Sequence, residues 1–140
     1  MSVEANITAI RALYEGFNTG NVPLILGQLT EDAELVDMAM GMSWQGHQGW
    51  GEWLGIWATS MPDTQAHLKN IIADGDTVAT EHVGGGTHTG PLTTPAGVIP
   101  PTGKTIELKF AEVFEMRDGK IRVMRAYWDT GSLMRQLGLA

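Results

Sequence analysis

The chain has 140 residues, 43% hydrophobic and 18% charged, enough apolar material to bury one core; a disordered segment is excluded and a single domain over 1–140 is expected. A net charge of −7, with nine scattered Lys and Arg, argues against nucleic acid or an anionic membrane as partner. The absence of Cys removes disulfides and thiolate metal sites, and with neither a signal-peptide pattern nor a bilayer-length apolar run, a cytoplasmic location is the default expectation.

Val3, Ile7, Ile10, Tyr14 and Phe17 recur at intervals of four and three, the period of one helix face. The stretch from Asn18 to Asn21 stops that helix, and Asn21 can cap a second one with Pro23 in its first turn and Ile25, Leu26 and Leu29 facing inward. Residues 33–38 read as a short strand, and 39–49, with Trp44 and His47, as a loop or short irregular strand. Trp50, Trp53, Leu54, Trp57 and Met61 mark a third helix that ends before Pro62. Strands are expected at 65–73 and 77–83 around an Asp74-Gly75-Asp76 turn, with a bend or bulge at Gly84 to Gly86. Residues 87–103, holding four prolines, read as a rim loop. A terminal helical turn over 131–137 stops at Gly138.

Between the rim loop and that turn, residues 104–129 form the clearest signal in the chain. Two alternating runs flank Asp118-Gly119, a pair suited to the positive φ values of a tight hairpin. A strict two-residue register sets Glu112 opposite Arg125 and Phe110 opposite Tyr127. One face then carries Phe110, Glu112, Phe114, Met116, Ile121, Val123, Arg125, Tyr127 and Asp129: apolar with a few convergent charges, as a small-molecule cavity requires. The other face carries Ala111, Val113, Met124, Ala126 and Trp128, an apolar patch that predicts a homodimer through the outer sheet, flanked by a Glu115–Arg122 pair. Helices first, then strands joined by tight turns, define the α+β class with a mainly antiparallel sheet.

Several side chains are candidates for chemistry in such a cavity. Asp129 ends a strand of apolar neighbours, where desolvation raises a carboxylate pKa towards the range of proton transfer; equally, it can cap the terminal turn. Glu112 and Arg125 read as a cross-strand ion pair able to orient a polar substrate. His88 and His82 share a strand phase if the glycine run does not shift it, and His88 is the stronger candidate for proton shuttling. Tyr127 is a hydroxyl donor or cavity wall. Trp44, Trp53 and Trp57 suit a flat ligand. Tyr14 points inward with a hydroxyl that needs a partner, and Asp37 can reach the cavity from the first strand. His47 reads as a surface residue. The four His have no metal-ligand spacing, so no metal is expected.

The segments AIRALYEGFNTGNV, LTEDAELVD, GHQGWGEWLGIWATSMPD, DGDTVATEHVGGGTHTGPL, GVIPPTGKTIEL and DGKIRVMRAYWDTGSLMRQLG resemble, in this order, the SnoaL-like polyketide cyclase family of the nuclear-transport-factor-2-like superfamily. The resemblance implies a cone-shaped barrel, a curved sheet wrapped around N-terminal helices in the manner of a cystatin-like roll. It also implies intramolecular aldol chemistry on a hydrophobic, oxygenated small molecule, driven by a carboxylate without metal or organic cofactor. The family's catalytic Asp falls on Asp129. Arg125 is a departure, since similar proteins often carry an aromatic residue there. Steroid isomerisation, epoxide hydrolysis and non-catalytic binding of a ligand or partner occur in the wider superfamily and are the alternatives.

Overall fold

The computed structural model describes residues 2–140. Helix α1, Val3–Thr19, starts where the Ser2 hydroxyl accepts from the Ala5 N–H and ends at Gly20 in the left-handed region. Its last turn is tied to the sheet: the Asn18 side chain accepts from the Ala66 N–H and donates to the Ala66 carbonyl. These bonds occupy the free edge of strand β3, Gln65–Asp74. They also fix the rotation of α1 and so aim Tyr14 at the sheet.

Helix α2 is short, Val22–Leu26, capped by Asn21 as expected. Strand β1, Leu29–Asp37, begins four residues earlier than the composition suggested, because Leu29 pairs with Ile121 instead of closing a helix. A short strand β2, Met42–Gln45, occupies part of the expected loop, and α3 runs over Gly46–Ser60. Strand β4 is Thr77–Thr87, β5 and β6 are Leu92–Thr94 and Gly97–Ile99, β7 is Thr105–Arg117, β8 is Lys120–Tyr127, and helix α4 is Thr130–Leu137. The expected rim loop therefore contains a small hairpin, β5–β6.

Six strands form one sheet in the order β2-β1-β8-β7-β4-β3, with only β1 and β8 parallel. The α+β class and the mainly antiparallel, helix-covered sheet match the expectation, although the sheet is open rather than a closed barrel. Helices α1 and α3 cover its inner face, where Ile10, Trp50, Leu35, Phe114 and Ile121 form the centre of the core.

Two register findings correct the sequence reading. The glycine run Gly84 to Gly86 does not bulge β4; it pairs regularly with Leu108, Glu107 and Ile106. Glycine is required there by proximity: a Cβ on Gly85 would lie 1.9 Å from the Ile106 carbonyl oxygen. The second finding is in the β7–β8 hairpin. Asp118 and Gly119 form the expected two-residue turn, with φ of 54° and 76°. Beyond it, Met116 pairs with Ile121 but Glu115 pairs with Val123, so Arg122 is an extra residue. This bulge reverses the facing of the rest of β8. Met124, Ala126 and Trp128 turn inward, while Arg125 and Tyr127 turn outward. Glu112 therefore lies opposite Ala126, not Arg125, and Arg125 takes the place expected for Arg122 as the partner of Glu115. The outer patch built on Met124, Ala126 and Trp128 does not exist as expected.

Candidate active site

Strand pairing places a polar row within the inner face. Thr80 of β4, Glu112 of β7, Ala126 of β8 and Asp37 of β1 are consecutive cross-strand partners. One pair further along, His82 faces Phe110. Tyr14 descends from α1 onto this corner. Its hydroxyl donates to Glu112 Oε1 at 2.6 Å and lies 2.8 Å from Thr80 Oγ1 and 3.0 Å from His82 Nδ1. A phenol has one proton, and here it goes to Glu112. Its oxygen therefore accepts from the Thr80 hydroxyl and from a proton on His82 Nδ1. That tautomer leaves the lone pair of His82 on Nε2. A Cβ on Gly84 would lie 3.4 Å from this nitrogen, and Gly84 and His82 both line the same cavity.

The cavity lies between α1, α3 and the sheet. Leu13 and Phe17 of α1, Trp50, Trp53 and Trp57 of α3, Met61 just past the end of α3, and Leu108 and Phe110 of β7 make its apolar wall. Tyr14, His82 and Glu112 supply the polar corner. The cavity itself is small, about 60 Å³, within about 600 Å³ of empty space counted out to its opening. The cavity is thus a narrow slot with a largely apolar wall, suited to a hydrophobic small molecule.

Burial governs the protonation states. Desolvation lifts the Glu112 carboxyl from its ordinary value to about 7, with the Tyr14 hydrogen bond opposing and the charge of Asp37 adding to the rise. His82 is pushed down to about 4 by desolvation. Burial and the neighbouring Glu112 raise the Tyr14 phenol above its ordinary value. His82 is therefore neutral wherever Glu112 is ionised, and their 3.5 Å approach is a polar contact rather than an ion pair.

The sequence candidates fall in several places. Tyr14, His82, Glu112, Phe110 and Trp57 converge on the cavity, as does Trp53. Asp37 is fully buried next to it, with its oxygens accepting from the indole N–H groups of Trp53 and Trp128 and the backbone N–H groups of Ala39 and Met40. Trp44 is partly buried at the periphery of the core. Asp129, Arg125 and Tyr127 lie away from the cavity. The Asp129 carboxylate is exposed, caps α4 by accepting from the Gly131 N–H, and sits 3.6 Å from Arg135. This is the helix-cap alternative, brought about by the bulge at Arg122. His88 is buried in the rim segment, where Nδ1 accepts from the Thr102 N–H and Nε2 has no partner among the described residues. His47 opens α3 with a buried, unpartnered Nε2. Thr80, a member of the polar row, was not singled out from the sequence, although its alternation with Val78 and His82 carried the signal.

Among the described residues, no group of three or more His, Asp or Glu is placed to hold a metal ion, and no helix is long and apolar enough to cross a membrane.

A curved, mainly antiparallel sheet covered on its inner face by helices is the nuclear-transport-factor-2-like α+β fold. The family model described as a SnoaL-like domain matches residues 10–124, and the chain belongs to that family. Among solved structures, a protein of Jannaschia sp. CCS1 assigned as a SnoaL-like polyketide cyclase superposes with a TM-score of 0.86 at 17% identity, over 98% of this chain and 94% of that one. IdmH of Streptomyces antibioticus, assigned as a polyketide cyclase, is 28% identical with a TM-score of 0.78, over 95% and 98% of the two chains. TerC, crystallised with polyporic acid, is 26% identical with a TM-score of 0.78, over 96% and 98%. Among curated proteins none matches the sequence.

Proposed function

We propose that the protein is an acid–base enzyme of the cyclase type, acting on a flat, hydrophobic, oxygenated small molecule held in the slot. The observation that carries this reading is the Glu112–Tyr14–His82 chain at the polar corner. A carboxyl with a pKa near 7 is half-ionised at neutral pH and so serves as both base and acid. The proton from a carbon beside a ketone passes to His82 Nε2. The Nδ1 proton of His82 passes to the Tyr14 oxygen, and the Tyr14 proton passes to Glu112 Oε1. Glu112 ends neutral, Tyr14 and His82 end uncharged, and the ligand becomes an enolate that can attack a second carbonyl of the same molecule. The reverse transfer protonates the resulting alkoxide. The low pKa of His82 suits this role, since it conducts the proton without holding the charge.

Support for the substrate class comes from the apolar wall and from TerC and IdmH, one crystallised with polyporic acid and the other assigned to polyketide cyclisation. Epoxide hydrolysis, which calls for two acids around a water, is less well supported: the oxygens of Asp37 are occupied and Asp129 is exposed. The test is hydrogen–deuterium exchange at the α-carbons of 2-tetralone in D2O, followed by NMR. Exchange by the wild type should fall about 100-fold or more in Glu112→Gln and persist in Asp129→Asn. Full activity in Glu112→Gln refutes the assignment.

We further propose that the protein pairs with a second copy through its outer sheet face. The support is a corrected patch: Ile72, Ala79 and Val113 are consecutive partners on β3, β4 and β7, on the face away from the core, and Ile72 is exposed.

A further inference from the structure

One buried polar atom on a residue that lines the cavity has no partner among the described residues. Trp57 lines the slot and is 4% exposed, yet its Nε1 is buried and meets no acceptor among the described residues. Three of the other four indoles are served: Trp50 donates to the Ala33 carbonyl, and Trp53 and Trp128 donate to Asp37. The Trp57 ring is also held in place, meeting Trp53, Phe110 and Trp128 edge-to-face at centroid distances of 6.3, 6.1 and 5.5 Å. A ring so confined does not swing to find an acceptor elsewhere.

A buried donor without an acceptor destabilises the fold, and native structures keep few of them; those they keep are often functional. Because Trp57 is part of the wall, a molecule in the slot is the natural source of an acceptor. We infer that the Trp57 indole N–H reads a ketone, quinone or enolate oxygen of the ligand, and that this contact sets specificity for a carbonyl-bearing ring over a hydrocarbon of equal shape. Phe110 links the two polar groups of the slot, with His82 stacked on its ring at 4.6 Å and Trp57 against it edge-on. The ligand is thereby addressed twice, by a donor for its oxygen and by a base for its acidic C–H. This inference rests on the slot being the ligand site but not on proton transfer occurring there.

The matched probes are 2-tetralone and tetralin, which differ by one carbonyl. Wild type should bind 2-tetralone about tenfold more tightly than tetralin, and Trp57→Phe should reduce that ratio at least about threefold, whatever the change in tetralin affinity itself. In the wild-type protein, the Trp57 indole ¹H–¹⁵N resonance should move downfield with 2-tetralone and not with tetralin, a readout that does not depend on the variant folding. An unchanged ratio in Trp57→Phe overturns the inference, as does an indole shift equal for both probes, or no binding of either at its solubility limit. Absence of α-carbon exchange, with this ratio intact, would count against the proton-transfer reading alone.

Discussion

Glu112 and His82 pull the pH dependence of stability in opposite directions. The carboxyl of Glu112 is raised from 4.5 to about 7, so its contribution is fully present below the unfolded value and is lost as pH rises through about 7. His82 is lowered from 6.5 to about 4, so its contribution is present above the unfolded value and is lost as pH falls through about 4. Each shift corresponds to about 3 kcal/mol across its own window. Between about pH 4.5 and 6.5 the two nearly cancel in the wild type. Urea unfolding should show Glu112→Gln gaining stability with rising pH over that window and His82→Phe losing it; parallel curves for both variants would contradict the assignment. Gly84 provides a second check. A Cβ there meets His82 Nε2 at ordinary contact distance, so Gly84→Ala should fold normally yet slow ketone exchange by covering that nitrogen. The inward facing of Tyr14 and Glu112 was legible from helical and strand periods. Their meeting was not, because 98 residues separate them and only the packing of α1 on the sheet brings them together.

Single insertions decide facing at the level of elements. The Asp118-Gly119 turn was readable because Gly and Asp tolerate positive φ, but the bulge at Arg122 was concealed by the assumption of strict alternation. A signal was available: Val123 and Met124 are adjacent apolar residues, and from Met124 onward a new alternation runs through Ala126 and Trp128. Burial of Arg125 opposite Glu112, as the strict register required, costs more than admitting one extra residue. Asp129 left the cavity for the same reason. The bulge expected at the glycine run failed differently, since a glycine chosen for close approach looks in sequence like one chosen for a bulge. That distinction is testable: Gly85→Ala drives a Cβ into the Ile106 carbonyl and should lower the Tm by several degrees or more, whereas Gly84→Ala should not. Helix α4 covers the part of β7 beyond the end of β8, where Gln136 accepts from the Glu107 N–H and donates to its carbonyl. Leu133 and Leu137 anchor it, and Leu133→Ala should cost about 2–5 kcal/mol by chemical denaturation.

For the molecule as a whole, helix-first order and tight turns were sufficient to define the α+β class with a mainly antiparallel sheet, whereas the roll was implied by the SnoaL-like resemblance, which is matched by the family model over 10–124. What the order of elements did not contain was the parallel β1–β8 pairing, which depends on a long-range contact between Asp37 and Ala126. The outer face is the other property of the whole. A dimer built on Ile72 and Val113 should dissociate when Ile72 becomes Lys, halving the mass in light scattering without changing the circular dichroism. A wild type of monomeric mass at all concentrations would remove the dimer from the account.

The central claim is that a buried carboxyl near neutrality, Glu112, drives proton transfer in the slot. Its most direct test is the pH–rate profile of 2-tetralone exchange set beside the ¹³C titration of the Glu112 carboxyl. Both should share one midpoint near 7, and the profile should vanish in Glu112→Gln. A carboxyl titrating near its ordinary 4.5, or a rate profile that survives in Glu112→Gln, would contradict it.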